Sequence, residues 1–422
     1  MRADDIPFPP VPLDPVATLA RWPIRPVLAV ADGAGGWVDA TCSFTGLELT
    51  VGPPDDHFDL PAAQLRVGLD NRDGRWSRYN ADGTPNRYGP GSAIQLWATA
   101  AGARWDEARW DEDLWGDSDW LFAGHIARVD QAADDSVIWE CFDAFSDLAQ
   151  PVGKFTAGAA GDLPAARCTA ILAAAGRADL RTRLAAGQNT LATAADDNPP
   201  IDQLARAVSS DGGIIFVDAD GTVRSYNRHW RNGRDDQTSV WLITDNACEL
   251  AAQAVIWDPL IASTDDAVAD RVVLQNTTGL TSLAGAPTGR FVYTETEQLW
   301  RNQADGDQLA TDLYTDQKTV RLRLDSFTLH LFDPHQPNLS RAVAWRILDR
   351  LNFAHHQRVT AGTRELIAVE LLVSSITHTV TAGGGWQMTV GTTRATANRV
   401  TLNFWDTTPF TWDSPDPTAV WS

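Results

Sequence analysis

Cysteine is scarce in this chain: Cys42, Cys141, Cys168 and Cys248 are the only four in 422 residues, and they lie far apart. None has the CxxC or Cys/His spacing of a zinc site, so all four are expected as small core residues. Long apolar runs are missing as well, since no stretch approaches the ~18 residues that would cross a bilayer. The opening Met1-Arg2-Ala3-Asp4-Asp5-Ile6-Pro7 lacks a basic stretch followed by an apolar one. The expectation is a protein made soluble in a cytoplasm, without a secretion signal. Basic residues are outnumbered 34 to 55 by acidic ones, giving a formal net charge of −21. Such a balance disfavours a surface that holds phosphate backbones, so no specific nucleic-acid binding is expected.

Enzyme signatures are also lacking. There is no GxSxG elbow, no GxxxxGK phosphate cradle, no HExxH and no GxGxxG after a strand. Paired carboxylates are plentiful in so acidic a chain, which makes any one pair uninformative about glycoside hydrolysis. His330 and His335 bracket Asp333, and His355 and His356 are adjacent, yet neither group has i,i+4 helical geometry or cysteine company. Asp218-Ala219-Asp220-Gly221 hints at a calcium loop. An EF-hand register would place Phe216 first and Asn227 twelfth, leaving too few carboxylates. The expectation is a non-enzyme with no catalytic, cofactor or metal site.

What the chain does contain is ordinary for a globular protein: 44% apolar and 21% charged residues, with length for two to four domains. Residues 1–27 carry seven prolines and read as an extended arm. Residues 28–150 offer short strands: Val38–Phe44, Leu47–Val51, Leu65–Leu69, Ala93–Trp97, Trp120–Val129 and Val137–Phe142. Together these predict a first small β-barrel or sandwich. Residues 151–245 shift to an α+β pattern. An Ala-rich helix spans Leu163–Arg177, a second runs Ile201–Ser209 behind Pro199-Pro200, and a hairpin covers 213–226 around Asp218–Gly221. Residues 246–400 return to β-rich segments at Ala269–Gln275, Val320–Phe332 and Glu370–Val390, and 401–422 form a Trp- and Pro-rich tail. The fold class predicted is α+β, mainly β, with two small β-barrel or sandwich domains flanking a small α+β domain and extended terminal arms.

Leu65, Val67 and Leu69 alternate with polar or small residues as a half-buried strand, then Asp70-Asn71-Arg72-Asp73-Gly74 turns the chain abruptly. This Leu-Asp-Asn-Arg-Asp-Gly-Arg-aromatic-Ser pattern resembles the first domain of the minor tail proteins that build the tail-tip hub of long-tailed, siphovirus-type actinobacterial phages. Later motifs follow in that family's order: Phe122-Ala123-Gly124-His125-Ile126, Gly212 to Gly221, Asp270 to Gln275, Ser375 to Val380, and Gly385-Trp386. The resemblance covers residues 38–390. It implies a baseplate hub in which two barrels from each of three subunits form a ring of approximate sixfold symmetry at the tail tip of the virion. The implied partners are copies of the chain in a homotrimer, a distal tail ring, a tape measure, and adhesion or fibre proteins that serve host attachment. Some hubs of this kind carry an appended cell-wall hydrolase, for which the residues after the second barrel leave no room. The acidity of the chain suits a tube that lets DNA pass, and serves general solubility equally.

Tryptophan recurs at every fifth position at Trp105, Trp110, Trp115 and Trp120, flanked by acids. Five residues advance a helix by about 140° and a strand by an odd number, so neither geometry aligns these rings on one face. The repeat reads as a decorated loop within an insertion at 100–120, and the tail repeats the theme at Trp405 and Trp412. These six tryptophans are the candidate contacts to protein partners or, alternatively, to host cell-wall glycan. Rings folded back over their own domain are the plain structural alternative. The function expected is therefore a structural virion protein of the tail-tip hub. A receptor- or glycan-binding tip protein and a distal tail ring protein are the alternatives.

Overall fold

The computed structural model describes residues 24–395 except 53–61, 81, 101–118, 132–134, 151–154, 157, 194, 197, 238–239, 245–253, 263–268, 289–290, 318–322, 333–336, 361–362 and 382–384. The N-terminal strands are β1 (Ile24–Ala31), β2 (Trp37–Asp39), β3 (Phe44–Val51), β4 (Gln64–Asp70), β5 (Ala93–Ala100), β6 (Asp119–Gln131) and β7 (Ser136–Phe142). They pair in the order β3-β4-β7-β6-β5-β1-β2. Alternation sets the faces: in β4, Leu65, Val67 and Leu69 are buried while Gln64 and Arg66 are exposed. Residues 24–27, read from sequence as the end of the proline arm, are the start of β1. Pro26 is tolerated there because β2 pairs only with Ala29 to Ala31, so no neighbour needs the missing N–H. The expected single strand Val38–Phe44 is also broken, by a 3₁₀ turn at Thr41–Ser43. Asp39 Oδ1 accepts the Thr41 N–H at 2.7 Å and the Thr41 hydroxyl accepts the Leu28 N–H at 3.0 Å, which offers the backbone a better alternative than the ladder.

A middle unit follows. Helix α1 (Ala144–Leu148) is capped by Asp143, which accepts the Phe145 N–H. Strands β8 (Phe155–Thr156) and β10 (Ala195–Asp196) form a short pair, and α2 (Pro164–Ala174) and α3 (Pro200–Ser209) both start on proline. The helices share a core with a three-stranded sheet of β9 (Thr182–Leu184), β11 (Ile214–Val217) and β12 (Val223–Tyr226), through Cys168, Ile171, Leu172, Leu204, Val208, Ile215 and Val223.

The C-terminal strands are β13 (Trp241–Thr244), β14 (Ala254–Val255), β15 (Trp257–Ala262), β19 (Arg323–His330), β20 (Arg350–Thr360), β21 (Thr363–Thr381) and β22 (Gly385–Arg394). Between β15 and β19 sits a small unit of which sequence reasoning found only the first strand, at Ala269–Gln275. Strands β16 (Arg271–Asn276), β17 (Thr281–Gly285) and β18 (Val292–Gln298) share a core with helix α4 (Gln303–Gln317), built on Val272, Leu274, Trp300, Leu309 and Ala310.

The two β-rich regions are not separate sheets. Strand β21 has 19 residues, about 60 Å of chain. Along one edge, Arg364 to Leu372 pair with β20 and Ile376 to Thr381 pair with β3, while the other edge pairs with β22. The N- and C-terminal strands thereby join into one 14-stranded sheet. No closed barrel forms among the described strands, which make one continuous, mainly antiparallel arrangement. One hydrophobic cluster underlies both halves, running from Leu49, Val67 and Trp139 to Ile376, Met388 and Val390. No described helix is long and apolar enough to cross a membrane.

Candidate interaction site

Of the six tryptophans singled out by sequence, Trp105, Trp110, Trp115, Trp405 and Trp412 lie outside the described residues. Trp120 is described: it opens β6, half-buried, with its ring centroid 5.8 Å from that of Trp97 across the β5–β6 pair. This ring therefore lies on its own sheet, where the Trp-rich connection leaves and rejoins it.

The turn after β4 builds a rigid loop over residues 70–92. Asn71 is its organiser, with 3% of its surface exposed. Its N–H donates to the Asp135 carbonyl at 2.8 Å, its Oδ1 accepts the Trp76 N–H at 2.7 Å, and its Nδ2 donates to the Ser77 hydroxyl at 2.7 Å. Those bonds drive Trp76 inward, edge-on to Trp139 at 5.4 Å and tilted against Tyr88 at 5.2 Å. Downstream, Asn86 Nδ2 donates to the Arg75 carbonyl at 2.8 Å and Ser92 Oγ to the Arg87 carbonyl at 2.9 Å. Asp70 and Asp73 accept the N–H groups of Arg72 and Arg75. Polar side chains hold the loop from within, while Arg72, Arg75, Arg78, Tyr79 and Arg87 face solvent.

In the Asp218–Gly221 turn the carboxylates are taken up by groups of the chain itself. The Asp218 carboxylate lies 2.9 Å from Arg234 Nη2 and 2.6 Å from Arg224 Nε, and Asp220 Oδ1 accepts the Thr222 N–H at 3.0 Å. Arg234 Nε also donates to Asp236 Oδ1 at 2.8 Å, and its Nη1 to the Ile347 carbonyl at 3.3 Å. Burial disfavours the charged guanidinium, but the Asp218 and Asp236 groups outweigh it and push the Arg234 pKa up. Burial likewise opposes ionisation of Asp236, and Arg234 and Arg224 overcome it, holding that carboxyl well below the carboxylate range. This network ties the middle unit to the segment before β20. Sequence reasoning singled out the turn but not its partners, which arrive from Arg234, Asp236 and Asp349, far along the chain or beyond a bend.

His378 lies on β21 between Ile376 and Val380, opposite Leu49 of β3 and Met388 of β22. Trp386 Nε1 donates to its Nδ1 at 3.0 Å. Burial lowers its pKa to about 4, so it sits neutral in the core as an acceptor for the tryptophan. The Ser-Ile-x-His-x-Val and Gly-Trp motifs thus meet in one hydrogen bond at the joint between the halves. His330 is exposed, and among the described residues no group of three or more His, Cys, Asp or Glu is placed to hold a metal ion. Cys141 and Cys168 are buried as expected, whereas Cys42 is exposed because the 3₁₀ turn replaces the strand that would have buried it. Cys248 lies outside the described residues.

No protein-family model matches this chain. No curated protein matches it by sequence either. Solved structures do. A tail protein from Neisseria meningitidis MC58 superposes with a TM-score of 0.55 at 12% identity, covering 88% of this chain and 97% of its own. The 43 kDa tail protein of prophage MuSo2 from Shewanella oneidensis superposes with a TM-score of 0.52 at 11% identity, covering 87% of this chain and 98% of its own. At such identities the likeness speaks for architecture, and over almost its whole described length this chain shares the fold of these two tail proteins.

Proposed function

We propose that this chain is a structural, non-enzymatic component of a bacteriophage-type tail, placed at the tail tip of a siphovirus-type virion as the baseplate hub. The observation that carries the reading is a fold shared with tail proteins along nearly the entire chain. Three of the hub motifs support it, because they are spent on scaffold: Asn71 on the loop turn, Asp218 on an ion network, His378 and Trp386 on the joint between halves. A homotrimer that contacts the distal tail ring, the tape measure and adhesion proteins is the assembly this role requires. Immunogold labelling of particles carrying the protein tests the placement. Label at the tail tip is expected; label on the capsid, along the tube or nowhere would refute it.

A second reading, attachment to host cell-wall glycan, is favoured by one observation. The half-buried Trp97 and Trp120 rings stand at the root of the connection that carries Trp105, Trp110 and Trp115. Aromatic faces stack on sugar rings. A glycan array read against a variant with all four tryptophans of the repeat changed to alanine separates the two, and equal signals from both proteins would remove the glycan reading.

A further inference from the structure

The small unit between β15 and β19 has a core on only one face of its sheet. Helix α4 lies on the side of Val272, Leu274, Ala284 and Tyr293, where Leu309 and Ala310 complete that core. The opposite face carries the alternate residues of β16, β17 and β18. Register places Leu283, Val273 and Thr294 in one row across it, and Gly285, Arg271 and Val292 in the next. Leu283 is 53% exposed and Val292 48%, and Phe291, just before Val292, is 56% exposed. A sheet face that meets water is ordinarily polar, so apolar side chains clustered on this one mark a contact surface. Arg271 is the one charged residue in these two rows, and its Nη1 donates to the Pro287 carbonyl at 3.0 Å.

The segment that follows Ala395 begins at the foot of this unit. The chain enters the unit from the end of β15 and leaves it into the start of β19, where Ala262 pairs with Arg323. Strand β22 runs beside β19, with Gly391 opposite Ser326 and the Thr392 hydroxyl donating to the Leu324 carbonyl. Its last residues therefore reach the same end of the large sheet. The connections to the small unit, residues 263–268 and 318–322, each span at most about 20 Å, and the stretch from Ala395 to Trp405 at most about 35 Å. Because β16 opens at Arg271, directly after the first connection, the Arg271 row is the near end of the small sheet. Residues 396–422 bring Phe404, Trp405, Phe410, Trp412 and Trp421, and Asp follows Trp405 and Trp412 directly. A stretch of this length interrupted by Pro409, Pro415 and Pro417 gains most by burying its rings against an existing surface.

We infer that residues 396–422 dock on the open face of the β16–β17–β18 sheet of their own chain. Trp405 and Trp412 set their rings on Val273, Leu283 and Val292, and a carboxylate from Asp406 or Asp413 meets Arg271. Origin, shape and charge select this occupant. The segment starts beside the unit, and its aromatic rings suit an aliphatic face. Its acids, Asp406, Asp413 and Asp416, outnumber its one base, Arg399, and complement the arginine. Tethering adds to these, because a segment held next to its surface acts at an effective concentration on the order of 1 mM, against which a second copy or a separate protein competes poorly. Trp405 and Trp412 then serve the chain's own fold instead of partners or glycan, wherever in a tail the chain sits.

Hydroxyl-radical footprinting of the purified full-length chain, read by mass spectrometry, tests this contact. Leu283, Phe291 and Val292 are expected to be protected in the wild type. In W405A/W412A they should oxidise about tenfold faster, as for a docked state populated about ten to one. Protection should persist on strong dilution, because the contact lies within one chain. L283K/V292K should in turn raise the oxidation of Trp405 and Trp412, and R271E, which sets like charges together, should give intermediate labelling of Leu283 and Val292. Amide exchange in β16 reports that the small unit stays folded, and W405A/W412A leaves that unit's own residues untouched. Equal oxidation of Leu283 and Val292 in the wild type and W405A/W412A would overturn the inference. Protection that disappears on dilution would overturn it as well, by assigning the face to a second copy.

Discussion

Asn71 shows how one side chain fixes a surface. It is buried, and both ends of its amide are occupied, by the Trp76 N–H and by the Ser77 hydroxyl. Asn71→Ala leaves a buried backbone donor without a partner, a cost of about 1–3 kcal/mol. The urea midpoint followed by tryptophan fluorescence should fall accordingly, and an unchanged midpoint would mean that the loop is not organised from this residue. His378 supplies a pH signature. Its folded pKa of about 4 lies below the ordinary 6.5, so the unfolded chain binds the proton first as pH falls. Stability from the neutral ring is full above pH ~6.5 and declines by about 1.4 kcal/mol per unit toward pH 4. Asp143 has the opposite sign. Burial raises its carboxyl to about 7, so its contribution is present at low pH and lost as pH rises. The contrast between wild type and His378→Gln cancels the Asp143 effect. The stability advantage of the wild type over the variant should shrink between pH 7 and pH 5, and a constant difference would show that His378 titrates normally.

At the level of elements, the β11–β12 hairpin is pinned by its turn. Asp218 is 6% exposed and meets Arg224 and Arg234, while Arg234 Nε also lies 3.7 Å from Asp349, whose carboxyl burial raises to about 6. Arg234→Ala leaves Asp218 to Arg224 alone, so the destabilisation should fall below the about 3–5 kcal/mol that leaving a buried charge wholly unpaired costs. Arg234→Lys should not restore the network, because one ammonium cannot serve Asp236 through Nε and Asp218 through Nη2 at once. Hydrogen exchange should quicken in β11 and β12 for both variants, and exchange confined to the exposed turn would argue that the network is dispensable. This hairpin was readable from sequence because its turn chemistry is local: Asp218, Asp220 and Gly221 act within four residues. The helices opening at Pro164 and Pro200 were readable for the same reason. Helix α4 was not. Its Gly306 lowers helix propensity, yet glycine is needed there, since a Cβ would stand 2.8 Å from the Trp300 ring. Gly124 of the Phe-x-Gly-x-Ile motif is similarly constrained, because a Cβ would collide with the Phe142 carbonyl of the paired strand. A motif signals such a position without naming the neighbour that requires it. Of the candidate contact residues, Trp120 alone lies among the described residues, and of the loop arginines only Arg72 and Arg75 fall within the turn motif legible in the sequence.

For the whole molecule, the decisive fact is one that sequence periodicity does not encode: β21 gives part of one edge to β20 and the rest to β3. The pairing of Ile376 with Val51 through Thr381 with Gly46 joins segments more than 300 residues apart, and it places Leu49 and Val380 in the same core. Cutting the chain at the end of its first β-rich region therefore leaves β3 as a bare edge and opens the cluster that β21 and β22 cover. A fragment of residues 24–150 should melt well below the full chain and self-associate through that edge, as unpaired strands do. Adding a charge that points outward from β3 and blocks edge pairing should keep the fragment monomeric without restoring its melting temperature, because the lost apolar cover is a separate deficit. Differential scanning calorimetry together with light scattering reads both quantities. A fragment that melts with the full chain and stays monomeric would show that the first β-rich region is a self-sufficient domain, and that the shared sheet is a contact between two finished bodies instead of the joint that completes them.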